Sequence, residues 1–257
     1  MKYIFANWKM NLGTRESVAL ARGVMRTLRG KEKTPSVVIF PSFTVLNEVR
    51  KVMARSRMRI GAQNCGTDKK GAYTGEVSIS MLEDVGCEYV LVGHSERRFV
   101  FGESLDVVSR RFAAAIASKL TPVLCVGEPL EERDAGNAKG YVGEQLTTAL
   151  KGVRLPRQKH LFIAYEPVWA IGSDHAALVA DMVDMHEYIK DTARKLVDVP
   201  ESKIHILYGG SVNAVNAYTF LREELVDGVL VGGASLKIKE FQGIVDSATD
   251  VITAQEL

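Results

Sequence analysis

Short apolar runs recur along the chain at residues 3–8, 37–41, 59–64, 89–93, 121–126, 161–166, 205–209 and 228–231. Each has the length of a buried strand. Between them lie stretches whose apolar residues fall three or four apart. Val18, Leu20, Val24, Met25 and Leu28 form one such set, and Val179, Met182, Val183, Met185, His186 and Ile189 another, so helices are predicted there. Helix-start signals accompany them: Thr14 is followed by Glu16 and Ser17, Ser104 precedes Asp106, and Ser211 is placed to open the seventh helix. Strand–helix alternation implies a parallel sheet, and eight repeats in a chain of 257 residues fit a closed α/β structure, the (β/α)8 barrel. A doubly wound open sheet is the alternative. No linker or low-complexity tract divides the chain, so residues 1–257 are predicted to form a single domain.

Composition narrows the function classes without choosing among them. Hydrophobic residues make up 46% and charged residues 25%, ordinary proportions for a globular protein. A net charge of +2 gives no electrostatic case for nucleic acid or an anionic membrane as partner. Cys65, Cys87 and Cys125 are odd in number and lack metal-ligand spacing, which predicts reduced thiols, no metal and a cytoplasmic setting. No apolar run reaches transmembrane length, and the first strand begins at once, leaving no room for a signal peptide.

In a barrel of this kind the reactive groups sit where strands end. The sixth run closes on Glu166, because Pro167 cannot continue a hydrogen-bond ladder. Val168, Trp169, Ala170, Ile171 and Gly172 follow, an apolar loop beside a carboxylate. That pairing suggests a lid that strips water from a base. Strand one ends with Asn7 and Lys9 on the same side under period-two alternation, and a lysine in a barrel mouth needs an anionic partner. Strand four ends at His94, just before a helix-capable turn whose field favours a neutral imidazole, with Glu96 and Arg97 fixing charge nearby. His160, His175, His186 and His205 read as packed residues. The turns Gly209-Gly210-Ser211 and Gly232-Gly233, at the ends of strands seven and eight, together with Gly172, suggest a phosphate clamp of backbone N–H groups. No GxGxxG follows strand one and no Ser–His–Asp set can be argued. A base, a neutral donor, a cation and a phosphate clamp imply abstraction of a proton α to the carbonyl of a small phosphorylated compound, giving an enediolate. No cofactor is called for.

The motifs Asn7-Trp8-Lys9, Gly71-Ala72-Tyr73-Thr74-Gly75-Glu76, Val92-Gly93-His94-Ser95-Glu96-Arg97-Arg98, Cys125-Val126-Gly127-Glu128, Tyr165-Glu166-Pro167-Val168-Trp169-Ala170-Ile171-Gly172, Tyr208-Gly209-Gly210-Ser211-Val212 and Val231-Gly232-Gly233-Ala234-Ser235-Leu236 resemble, in order, those of the triosephosphate isomerase family. The resemblance runs from residue 3 to about 245. It implies a TIM barrel acting in glycolysis and gluconeogenesis on a phosphorylated triose. Glu166 would move the proton, His94 would polarise the carbonyl and shuttle the hydroxyl proton, and Lys9 and Asn7 would steady the enediolate oxygens. Glu96 would organise Lys9 and His94; Gly172, Ser211, Gly232 and Gly233 would bind the phosphate; Ile171 and Leu230 would wall off Glu166. The resemblance also implies a homodimer, with the loop around Tyr73 and Thr74 inserted beside the partner's first strand, near Met10.

One segment departs from the family. After Gly172 the family usually has Thr-Gly-Lys-Thr, whereas this chain reads Ser173-Asp174-His175-Ala176. Hinges absorb φ/ψ change, and Asp174 puts a negative charge near an arriving phosphate. Full chemistry with altered lid energetics is expected, read as a raised KM or slowed closure. Kinetics unchanged by restoring the family's hinge would refute it. Two other readings are a different cofactor-free phosphate-binding barrel isomerase, which would need another acid–base pair, and a non-catalytic phosphometabolite-binding barrel with a drifted lid.

Overall fold

The structure is a computed structural model and describes residues 1–172 and 177–255. Eight parallel strands, β1 (Tyr3–Asn7), β2 (Ser36–Phe40), β3 (Arg59–Ala62), β4 (Tyr89–Val92), β5 (Thr121–Val126), β6 (Leu161–Tyr165), β7 (Ile204–Tyr208) and β8 (Gly228–Val231), pair in chain order. The sheet closes because Tyr3 of β1 pairs with Gly228 of β8 as well as with Ser36 of β2. Closure removes the open-sheet alternative. Helices α1 (Thr14–Thr27), α2 (Leu46–Met53), α3 (Ile79–Asp84), α4 (Ser95–Phe99), α5 (Leu105–Ile116), α6 (Leu130–Asp134), α7 (Ala138–Leu150), α8 (Val179–Leu196), α9 (Ala217–Leu221) and α10 (Ile238–Ala254) occupy the connections.

Period-two alternation divides the core into two layers. Inside the barrel, Tyr3, Phe5, Phe40, Tyr89 and Phe162 form one cluster with the smaller Val38, Val123 and Leu207. Their rings meet edge-on or tilted, with centroids 4.9 Å apart for Tyr3–Phe162 and 5.4 Å for Phe5–Tyr89, the arrangements aromatic quadrupoles favour. The alternate residues, such as Ile4, Ala6, Ile39 and Ile163, face outward to the buried sides of the helices.

Two of the three predicted helix starts are in place, although α1 is capped at Gly13 and not by the Thr14 side chain. Glu16 Oε2 accepts the Gly13 N–H at 3.0 Å at the head of α1, and Ser104 Oγ accepts the Val107 N–H at the head of α5. Ser211 does not open a helix. Asn213 Oδ1 accepts the N–H groups of Val215 and Asn216 at 2.9 and 3.1 Å, a local turn that competes with helix. The helix is thereby delayed to Ala217, and Ser211 stays in the loop at the barrel mouth.

His186 on α8 is fully buried, with Nδ1 3.0 Å from the Leu225 carbonyl and Nε2 without a hydrogen-bond partner. Burial pushes its pKa down from 6.5 to about 4, against the weaker pull of the Leu225 carbonyl and Asp227. The unfolded chain therefore binds this proton first as pH falls. The stabilisation is complete above pH 6.5 and is lost as pH drops towards the folded value of about 4, by about 3 kcal/mol in all. In His186→Gln, which cannot titrate, urea unfolding should depend less steeply on pH across that window. An unchanged slope would refute the assignment.

Candidate active site

Glu166 follows the last residue of β6 and remains in register with β5, its N–H donating to the Val126 carbonyl at 2.7 Å. Two glycines make this position accessible. A Cβ at Gly127 would lie 1.8 Å from the Glu166 carbonyl oxygen, and one at Gly209 would lie 2.8 Å from Glu166 Cγ. Although the residue is only 1% exposed, its carboxylate is satisfied. Oε2 accepts the Ser95 N–H at 2.8 Å and Oε1 lies 3.1 Å from His94 Nε2, as a buried charge requires. Beside it, the Cys125 thiol is pushed well above its ordinary pKa by burial and then by the Glu166 carboxylate, Arg98 acting in the opposite sense. Cys125 thus stays a protonated thiol.

His94 lies two residues beyond the end of β4 and caps α4, its Nδ1 accepting the Glu96 N–H at 3.3 Å. A nitrogen that accepts a backbone N–H carries no proton, so this bond assigns the tautomer with the proton on Nε2, the nitrogen facing Glu166. Arg98 holds the turn in place, donating to the carbonyls of Gly93 and Gly127 at 2.8 and 3.2 Å.

Lys9 lies two residues beyond Asn7, the last residue of β1, in a left-handed conformation with φ 53°. For a non-glycine residue this costs on the order of 1 kcal/mol. Asn7 Oδ1 accepts the Lys9 N–H at 3.0 Å, and Gln63 Nε2 donates to the Lys9 and Phe40 carbonyls at 2.8 and 2.9 Å. These bonds hold the strained backbone. The Lys9 ammonium donates to Glu96 Oε1 at 2.8 Å, which is the anionic partner expected for a lysine in the barrel mouth.

Asn7, Lys9, His94 and Glu166 line one wall of a cavity of about 550 Å³. Gly172, Ser211, Gly232 and Gly233 line the same cavity, as do Ile171 and Leu230. Glu96 reaches it through its bonds to Lys9 and His94. Tyr73 and Thr74 belong to an exposed loop outside it. A larger cavity, about 1100 Å³, opens at the opposite end of the barrel.

The apolar loop after Glu166 is held at its start, and Ala177, beyond it, is held to β7. Pro167 leads into a single 3-10 turn, Val168–Ala170. Trp169 Nε1 and the Tyr165 hydroxyl both donate to Oε1 of the fully buried Glu128, at 2.9 and 3.0 Å. The Val168 N–H donates to the Glu128 carbonyl at 3.1 Å, and the Arg133 guanidinium lies 4.5 Å from the Trp169 ring centroid. Beyond the loop, the Ala177 N–H donates to the Tyr208 hydroxyl at 3.1 Å. Gly172 has φ 68°, a conformation glycine adopts without strain. The altered hinge, Ser173, Asp174, His175 and Ala176, lies outside the described residues.

Several contributors were not singled out for a role from the sequence. Glu128 stands just past the end of β5 and Gln63 just past the end of β3, so the strand-end rule could have found both. Ser95 acts through its backbone N–H and gives no residue-type signal. His160 and His205, read as packed, join ring to ring at 2.7 Å, with His205 Nδ1 3.7 Å from Asp227.

A family model described as triosephosphate isomerase matches residues 2–248. A triosephosphate isomerase from Aquifex aeolicus is 43% identical over 246 residues, 96% of this chain and 99% of that protein. One from a Roseiflexus species is 44% identical over 241 residues, 93% of this chain and 94% of that protein. The crystal structure of triosephosphate isomerase from Bartonella henselae superposes with a TM-score of 0.84 at 36% identity, covering 96% of this chain and 98% of that one. With the barrel closed, the strand-end groups assembled around one cavity and the match nearly end to end, the chain belongs to the triosephosphate isomerase family.

Proposed function

We propose that Glu166, His94, Lys9 and Asn7 carry out in this chain the reaction of its family, the interconversion of dihydroxyacetone phosphate and D-glyceraldehyde 3-phosphate. The observation that carries the assignment is the pairing of Glu166 and His94 Nε2, 3.1 Å apart, in a cavity also lined by Lys9 and the glycine turns after β7 and β8. The phosphate is held by backbone N–H groups at Gly172, Ser211, Gly232 and Gly233. Glu166 leaves the Ser95 N–H, takes the proton from the carbon next to the carbonyl and returns it to the neighbouring carbon. His94 donates from Nε2 to the carbonyl oxygen and recovers a proton from the adjacent hydroxyl, so none is gained or lost. Lys9 and Asn7 stabilise the oxygen that becomes negative, and Glu96 orients both Lys9 and His94. Ile171 and Leu230 close over Glu166, and excluding water suppresses loss of phosphate from the enediolate.

The assembly we favour is a homodimer, with residues 1–257 acting as one domain in each subunit. Met10 is 94% and Tyr73 53% exposed, which supports a face that the Tyr73–Thr74 loop of a second copy covers. Three buried free cysteines support a reducing, cytoplasmic setting. No helix among the described residues is long and apolar enough to cross a membrane.

The test is turnover of both triose phosphates with phosphoglycolate as competitor, run beside sedimentation. Turnover inhibited by phosphoglycolate, from a species of twice 28.2 kDa, is expected. A folded chain that binds phosphoglycolate without turnover would refute the catalytic assignment in favour of the binding-barrel reading. A monomer at assay concentration would refute the dimer.

A further inference from the structure

We propose that the cavity at the N-terminal end of β2 and β3 is a second binding site, for a soluble organic polyphosphate of the nucleoside di- or triphosphate class. It lies where α1 and α2 end and β2 and β3 begin, at the opposite end of the barrel from Glu166. Its volume of about 1100 Å³ is slightly above the usual range of small-molecule sites, about 300–1,000 Å³.

Five arginines line it: Arg22, Arg26, Arg29, Arg55 and Arg57. All five are exposed, and none makes an ion pair or donates a side-chain hydrogen bond among the described residues. Arg59, Arg97, Arg111 and Arg133, outside the cavity, each meet a carboxylate, whereas Arg15, Arg50, Arg154 and Arg157 are unpaired among the described residues but scattered, so what marks these five is their convergence on one cavity. The cavity's Lys31 is also taken, by Asp246. The single acid in the lining is Glu32. A chain of net charge +2 has thus gathered five unpaired guanidiniums around one concavity, an arrangement that repels itself until an anion enters. A helix C-terminus attracts cations, which accounts for Arg26 in the last turn of α1. It does not account for the other four, and none of the five guanidiniums donates to a terminal carbonyl.

The residue type specifies the anion. Planar guanidiniums form paired, parallel hydrogen bonds to phosphate oxygens, which an ammonium does not. The walls specify the rest of the ligand, because Leu28, Val52 and Met58 give the cavity an apolar lining suited to a nucleobase. One open concavity with an apolar floor, in a nearly neutral chain, fits a small molecule better than an extended polyanion, which tracks a continuous basic stripe.

The full chain, its active site saturated with phosphoglycolate, is titrated calorimetrically with ATP, inorganic tripolyphosphate and adenosine at low and at raised ionic strength. One ATP per chain is expected, weakened by salt, with tripolyphosphate binding more weakly and adenosine not at all. Arg26→Glu with Arg55→Glu should weaken ATP binding by about tenfold or more, and Arg29→Ala with Arg57→Ala by less, while isomerase kcat/KM stays unchanged and reports an intact fold. Absence of saturable ATP binding would overturn the proposal, as would binding indifferent to both pairs of substitutions. Capture by phosphatidylglycerol vesicles without binding of soluble ATP would overturn it in favour of a membrane surface.

Discussion

Glu166→Gln is expected to lower kcat by about 10²–10⁴-fold, the range a positioned general base contributes, with KM little changed. The amide keeps the shape of the carboxylate, and its oxygen can still accept the Ser95 N–H, so the phosphate clamp and the lid walls stay in place. The amide cannot accept a proton from carbon. Because the interaction lost is made only in the transition state, kcat and kcat/KM should fall together. Stability should fall only modestly, because removing a buried charge offsets the cost of setting the amide NH2 against the His94 Nε2–H, two donors face to face. Single-turnover kinetics and thermal unfolding on the same preparation separate the two quantities. A loss of kcat below tenfold would remove Glu166 as the base, and a large drop in melting temperature would assign it a structural role.

The second large effect is expected at His94. His94→Gln retains an N–H donor for the carbonyl oxygen but cannot both give and take back a proton, so kcat should fall by about 10²–10³-fold. His94 also caps α4 through Nδ1, and losing a cap of this kind costs about 1 kcal/mol of stability. That cost appears in urea unfolding, apart from turnover. Glu166 and His94 act on one substrate from 3.1 Å apart, so their effects should not multiply. The double variant should be far more active than the product of the single losses predicts. Strict multiplication would mean that the two residues act independently and would exclude a shared proton path.

The strands were legible because buried parallel strands need continuous apolar runs, and a barrel needs eight of them at even spacing. Their ends were legible to within one or two residues, since proline and glycine stop a ladder. Strand ends also pointed to Asn7, Lys9, His94 and Glu166. The supports of those residues were less visible. The left-handed backbone of Lys9, the Ser95 N–H that holds Glu166 and the room made by Gly127 and Gly209 all depend on which backbone lies across the barrel. Residue type carries no record of that. Ser211 shows the opposite error, in which a genuine local signal was outcompeted by the side chain of Asn213 two residues on.

The chain has only two tryptophans, and the barrel has placed them in contrasting settings. Trp8 is sealed in the core, its indole N–H without a hydrogen-bond partner. Trp169 anchors the start of the loop after Glu166, between the Glu128 carboxylate and the Arg133 guanidinium. An indole emits at a wavelength and intensity set by the charges around it. Any rearrangement of the anchor therefore changes the light from Trp169 and leaves that from Trp8 as a constant background. The protein thus carries, with no dye or label, an optical gauge of the anchor that holds the start of the loop after Glu166.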